Sequence, residues 1–502
     1  MRDSDRQSDA MCQLGCGCCR RTFLGAVGAA AGGVSLRYAS LASADQPAAA
    51  RAKHEPATVR AAFLYPPSDT LRVPGAWWSW PGNDFDAEGR QAQYTKRLAE
   101  IERRLGLRIV ADPTPLYSDE SVARFVADVQ KSKPDGLLLV PMHNPTFRQL
   151  DRILAELTPK EAPEGETPML DIPTVVFSTL GVHHGSVTKY QRPGLCFIQT
   201  LDNLESVAYA MRMIHTAWRM RTGRILSIAG AGEPAEATVA PLGTKVRRLP
   251  LQRFVDEVSG TEVTDAVKQL AQSYREGAKQ ILEPADPEIL TAAKVHFACQ
   301  HLLEVEQADA IMIDCLRRGE FMPCMSFMTL RDQGIPAGCE NDLAATLTLM
   351  LVQYLFDRPG FQANPCYDTE RNHFFASHCT SASKLFGTTG PPEPYLLRNY
   401  AHTNDPTCVP QVLWREGEEV TMAHYYPPRK PGDKPRLYIY TGTVARWYEM
   451  PPVGGCRTNV AFTINEHADV CDARGHHNVI FYGNYGRELR RFAQLYGITV
   501  AT

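Results

Sequence analysis

Between residues 60 and 178 four short apolar runs recur, each bounded by turn residues and separated by stretches of helical period. They are RAAFLYP (60–66), LRIVADP (107–113), DGLLLVP (135–141) and IPTVVFS (172–178), with helical stretches near 89–105, 118–131 and 145–158. Strand and helix signals that alternate in this way belong to a parallel sheet whose crossover helices cover both faces. Gly106 follows the first helical stretch, and Pro134-Asp135-Gly136 turns the chain before the third run. The pattern predicts a doubly wound parallel α/β domain over about 59–190.

From about 190 the alternation starts again. GLCFIQT (194–200) reads as a strand, followed by a helix from Asn203 to about Arg221 and the strand RILSIAG (224–230). Further on, Asp286 as N-cap and Pro287 in the first turn open a helix, and AIMIDC (310–315) reads as a strand. These make a second α/β domain over 191–360. After about 385 the period falls to two in PQVLWREGEEVTMAHYY (410–426), PRLYIYTGTVARWYEM (435–450) and TNVAFTINEH (458–467), which argues antiparallel β. A last helix near 486–496 and a short strand, ITV, close the chain's third part. The expected fold class is α/β: two doubly wound parallel-sheet domains followed by a β-rich sandwich or barrel over 361–502.

The chain has 502 residues, 44% hydrophobic and 22% charged, enough for several cores. A net charge of −3 and the absence of a long single-sign run give no purchase to nucleic acid or to an anionic membrane. A small molecule and further copies of the chain are the partners this composition suits. The segment 1–44 reads differently: Arg20 and Arg21 precede a mildly apolar run from Phe23 to Leu36, and LASA offers a cleavage site ending at Ala44. It resembles a twin-arginine export signal, with Cys19 and Gly25 at the flanking positions usually held by Ser and Lys; a disordered basic N-terminus is the plainer alternative. The signal implies a periplasmic or other extracytoplasmic location, with 45–58 as a linker. Of fourteen cysteines, four precede the arginine pair, and the rest show no paired zinc spacing. They read as small buried hydrophobes.

The chemistry concentrates in the C-terminal half. GIPAGCENDLAATLTLMLVQYL (334–355) places Glu340 and Asp342 at the threshold of a run apolar on every side, the mark of a core helix. Asn364 and Asp368 follow in ANPCYD, His378 closes HFFASH, and His476 and His477 stand before the strand-like NVIFYG. A carboxylate, a second oxygen donor and one or two imidazoles suit Mn²⁺ or another divalent cation. Such an ion would compensate carboxylates at the mouth of a buried helix; simple helix capping by Glu340 and Asp342 is the competing explanation.

PAGCENDLAATLTLMLVQYL, GFQANPCYDTERNHFFASHC, GHHNVIFYGNYGRELRRFAQLYGI and TGTVARWYEMPPVGGCRTNVAF resemble segments of the L-fucose isomerase/L-arabinose isomerase family, in order and spacing, from about residue 190 onward. The resemblance implies two α/β domains and a β-rich domain, an oligomer, Mn²⁺ and aldose–ketose interconversion through an enediol. It implies Glu340 as metal ligand and acid/base, a ligand and catalytic partner at position 364, His378 as a ligand, and a metal-facing histidine at 476 or 477. Position 364 departs from the family, which keeps a carboxylate there. An amide oxygen can bind a metal, but it cannot take up and return a proton near neutral pH. Asp368 is the substitute if the chain bends inward after Pro365. The expected activity is therefore that of a sugar isomerase, with a sugar-binding homologue lacking turnover as the alternative.

Other patterns carry less. SIAGAGEPA (227–235) fits the glycine pattern of a dinucleotide-binding turn, the basis of a distant nicotinamide-dependent alternative, but it requires a helix directly after it. Trp77, Trp78 and Trp80 gather in GAWWSWPGNDFDAEG (75–89), where indole faces could stack on a sugar or plug a surface. Gln199, with His183 and His184, is a further candidate for the substrate cleft. Nucleophile-elbow, P-loop and EF-hand patterns are absent from the sequence.

Overall fold

β1 (Thr58–Leu64) shows why the first apolar runs become strands of one sheet. Its Val59, Ala61 and Phe63 enter one core and its Ala62 and Leu64 another, so both faces are dry. In the computed structural model, which describes residues 55–161, 167–316, 321–403, 405–430, 432–450 and 455–501, these belong to a compact unit spanning 49–502. The segment read as an export signal lies outside the described residues.

After β1 come α1 (Ser68–Leu71), α2 (Ala87–Leu105), β2 (Arg108–Ala111), α3 (Asp119–Ser132), β3 (Gly136–Pro141), α4 (Phe147–Glu156), β4 (Thr174–Thr179), β5 (Leu195–Thr200) and α5 (Glu205–Thr222). The five strands are all parallel in the order β2-β1-β3-β4-β5. Helices α2 and α5 pack on one face, α3 and α4 on the other. Local signals set the ends: Asp86 accepts from the Gly89 N–H before α2, Gly106 leaves it at φ +69°, and Ser118 caps α3. The strand Leu195–Thr200, expected to open the second domain, is instead the fifth strand here, paired with β4 along six residues. A strand with buried residues on its inner side and a full parallel partner belongs with that partner, whatever lies next in sequence.

The second sheet has the order β11-β10-β6-β8-β7 and is built from β6 (Arg224–Ile228), β7 (Ala235–Val239), β8 (Thr244–Leu249), β10 (Ala310–Ile313) and β11 (Ala337–Cys339). Only β7 runs antiparallel. Between them lie α6 (Leu251–Gly260), α7 (Asp265–Gly277), β9 (Ala278–Ile281), α8 (Asp286–Val305) and α9 (Cys324–Asp332). Asp286 is the first residue of α8 rather than its N-cap, and Glu288 reaches back to the Ala285 N–H. The glycine loop 229–234 leads into β7, a strand of a hairpin, so the helix that a dinucleotide turn demands is not there.

α10 (Leu343–Phe356) follows, buried along most of its length. Its Leu347, Leu349, Leu351 and Val352 share one core with Met213 and Ala217 of α5 and with Tyr425, Val479 and Phe481 of the β-rich part, which explains a helix apolar all round. The β-rich part comprises β12 (Phe361–Asp368), β13 (His373–His378), β14 (Tyr395–Arg398), β15 (Val409–Val412), β16 (Glu419–Tyr426), β17 (Arg436–Tyr448), β18 (Thr458–Phe462), β19 (Asn478–Tyr482), α11 (Gly486–Leu495) and β20 (Thr499–Ala501). Six antiparallel strands follow one another as β16-β19-β12-β13-β18-β17, and β17 pairs back with β16, closing a barrel. The long β17 makes closure possible: residues 436–443 face β16 and the remainder faces β18. β14 pairs with β15 and, in parallel, with β9 of the preceding region.

Candidate metal centre

Glu340 follows directly on β11, at the carboxyl end of the second sheet, where loops of open α/β sheets gather ligands. The turn into α10 is tight: Asn341 N donates to Ile313 O, and the Asp342 side chain caps the helix by accepting from Ala345 N at 2.9 Å. Glu340 and Asn341 consequently adopt φ of +57° and +50°. A left-handed glutamate is unfavourable and survives only where the surroundings fix it, a pattern that concentrates at functional sites. The strand end is clamped from below by Gln362, which exchanges hydrogen bonds with the Cys339 N–H and C=O.

The barrel brings two imidazoles to this turn. His378 ends β13, and its Nε2 lies 3.3 Å from Glu340 Oε1. His477 precedes β19 in a left-handed conformation, φ +55°, with Nε2 at 3.4 Å from Glu340 Oε2. All three side chains offer donor atoms within 4.8 Å of one another. Bonds of about 2.1 Å to nitrogen or oxygen put neighbouring ligand atoms about 3.0 to 3.4 Å apart, so the spacing fits a divalent ion. The unpaired atoms fit as well: Nε2 of both histidines is buried and makes no hydrogen bond.

Supporting groups fix the geometry. Asp342 Oδ2 accepts a 2.8 Å hydrogen bond from His477 Nδ1–H, which leaves the Nε2 lone pair turned toward Glu340. Burial works against the Asp342 charge, but that bond and the Ala345 N–H outweigh it and hold the carboxyl below its ordinary range. Glu340 is held low chiefly by His378, against burial. Burial would strip His378 of its proton; Cys339 and Glu340 beside it reverse this and push it up to about 10. His424, inside the barrel on β16, donates Nδ1–H to the His477 carbonyl at 3.0 Å, and burial depresses it to about 4.

The cluster thus joins Glu340, His378 and His477, the last from a pair that sequence could not separate. His476 is exposed, stacks on His477 at 4.1 Å and gives only its N–H, to Tyr426. Asn364 pairs with Ser377 across β12 and β13, one position from His378. Phe361 and Ala363 point into the barrel with Phe374 and Ala376, so strand alternation sets Asn364 on the other face with Gln362, whose side chain reaches the Cys339 backbone next to Glu340. Asp368 does not substitute for Asn364. β12 runs straight through Pro365 and carries Asp368 to a turn, where it binds the Arg371 N–H and guanidinium at 3.1 and 3.0 Å. Sequence reasoning passed over His424 and the orienting role of Asp342; the spacing of Asp342 from Glu340 was the available signal.

The aromatic candidates sit elsewhere, in the loop between α1 and α2. Trp77 is 80% and Trp80 59% exposed, while Trp78 meets Tyr117 and His143 edge-on. Gln199 on β5 donates to the His183 carbonyl, and Trp80 meets His184 edge-on. Among the described residues no hydrogen bond, ion pair or ring contact joins this group to Glu340, His378 or His477. Of the ten cysteines from Cys196 onward seven are buried, as small hydrophobes would be; Cys366 and Cys471 are exposed.

No family model matches the chain, and no curated protein matches it. Among solved structures, an ABC-transporter solute-binding protein from Burkholderia multivorans aligns at 10% identity over 52% of this chain and 79% of that one, with a TM-score of 0.16. A likeness of that size carries no argument.

Proposed function

We propose that this chain is a divalent-metal-dependent, sugar isomerase-like protein acting on an aldose or ketose. The single observation that supports the reading is the convergence of Glu340, His378 and His477, drawn from segments that the sequence separates widely, with Asp342 orienting one imidazole. Glu340, His378 and His477 would hold the ion; Mn²⁺ or a similar cation suits one carboxylate and two imidazoles. When bound, it would polarise the carbonyl and the neighbouring hydroxyl oxygen of the sugar and so acidify the C–H of the carbon next to the carbonyl. Glu340 is the one carboxylate of the cluster free to carry a proton, since Asp342 is committed to His477 and to the cap of α10. We read the protein as exported, on the strength of the twin-arginine pattern, and as an oligomer, on the strength of the family resemblance alone.

A specific observation favours a second reading, a sugar-binding homologue without turnover. Isomerisation needs a second proton carrier, and position 364 supplies an amide while Asp368 is tied to Arg371. The deciding experiment is turnover of a panel of aldoses and ketoses with Mn²⁺, by the natural protein and by Asn364→Asp. Turnover in the natural protein supports the isomerase. Turnover gained only in Asn364→Asp identifies a binding homologue. Equal metal retention in Glu340→Ala and the natural protein would defeat both readings.

A further inference from the structure

One residue beyond His378, a second set of donors meets. Cys379 Sγ and Cys456 Sγ are 3.8 Å apart, and His402 Nε2 is 3.2 Å from Cys456 Sγ. The donor atoms of all three lie within 4.8 Å of one another, and none of them belongs to the Glu340 cluster. Each comes from a separately anchored segment. The carbonyl of Thr380, beside Cys379, receives the buried Arg331 guanidinium at 2.9 Å. The Cys456 N–H donates to Ser377 Oγ, and its carbonyl accepts from Asn459 Nδ2. The loop carrying His402 is tied by Arg457 Nε to the Asn399 carbonyl and by the Tyr400 N–H to Thr407 Oγ1, both 2.6 Å.

Two thiols and an imidazole form a soft donor set, unlike the carboxylate and imidazoles next to it. In a tetrahedral site with bonds of about 2.3 Å to sulfur and about 2.0 Å to nitrogen, sulfur atoms stand about 3.8 Å apart and sulfur and nitrogen about 3.5 Å. The sulfur pair already has that separation. A disulfide would require about 2.0 Å and a movement of nearly 2 Å by two anchored side chains. Cys379 is buried and His402 exposed, so one corner of the tetrahedron opens to solvent. We propose that Cys379, His402 and Cys456 bind a zinc ion, with water as fourth ligand. Both cysteines bind as thiolates, their protons passing to solvent. Bound there, the ion also fixes the backbone immediately after His378.

The test uses the full chain carrying Glu340→Ala, which removes the neighbouring cluster from the measurement, titrated with Co²⁺ as a spectroscopic stand-in. The expected result is intense near-ultraviolet thiolate-to-cobalt charge transfer, saturating at one equivalent and displaced by Zn²⁺. Oxygen and nitrogen ligands cannot produce that band, so the outcome is independent of the sugar reading. Cys379→Ser with Cys456→Ser should abolish it. Because buried cysteine variants can misfold, His402→Ala, an exposed change, is the second arm: affinity should fall more than about tenfold with the metal-free melting temperature unchanged. Absence of the band, unchanged affinity in His402→Ala, or an intact mass lower by two hydrogens with Cys379 and Cys456 joined would each overturn the proposal.

Discussion

Two residues of the Glu340 cluster, Glu340 and His477, hold left-handed backbones that their side chains make costly. This separates the role of the side chain from that of the backbone. Glu340→Gly and Glu340→Ala should lose the ion equally, yet the glycine variant should be more stable by about 1 kcal/mol, read from urea denaturation of the metal-free proteins. Equal stability would mean that the turn relaxes. Asp342→Asn keeps the cap of α10 but offers His477 an amide where a carboxylate stood, so Mn²⁺ affinity should weaken about 10- to 100-fold by calorimetry, with the fold intact. At this scale the residue types of the cluster and Glu340 itself were legible in the sequence, because a carboxylate at the start of an apolar helix needs a partner. The sequence could not distinguish His476 from His477. That choice depends on the left-handed turn at 477 and on the carbonyl bond from His424, neither of which leaves a mark in residue order.

The elements around the cluster are registered by one buried cation. Arg331 is 2% exposed, donates to the carbonyls of Ala337 on β11 and Thr380 beyond β13, and so holds the strand that leads into Glu340 and the strand that ends in His378. Arg331→Met fills the space but leaves two carbonyls without donors, which should cost about 2 to 4 kcal/mol in urea denaturation. A neutral result would mean that water replaces the guanidinium. Most elements of the first sheet could be read from the chain, because their apolar runs are bounded by turns and their helices by caps. α6 and α7 went unread although Leu251, Phe254 and Val258 are spaced as a helix face and Thr264 caps α7. β12 misled for a physical reason: Pro365 suggested a bend, but the strand runs on past it, still paired with β13 on one side.

Across the whole molecule, buried ionisable groups set the response to acid. His296 is 2% exposed and burial lowers it to about 4, from an ordinary value of 6.5. The folded form therefore binds fewer protons than the unfolded one; the stability this contributes is complete above pH 6.5 and is lost as pH falls toward 4. Between pH 7.5 and 5 the loss from His296 is about 2 kcal/mol. His296→Gln should lose correspondingly less over that interval, a difference measurable by urea denaturation at the two pH values. An identical slope would show that the imidazole is already solvated. The order of the sheets was legible only in part, because barrel closure through β17 and the return of β5 to the first sheet are long-range pairings. The same holds for α11, whose Gln494 donates to the Leu195 carbonyl from 299 positions away, while the Gly194 N–H donates to Gln494 O and Tyr209 Oη–H to the Glu488 carbonyl. A ribosome adding about 5 to 20 residues per second needs roughly 15 to 60 s to travel from Leu195 to Gln494. For that interval the nascent chain must carry β5 with its final cover still unmade, and a chaperone has its longest opportunity to engage it there.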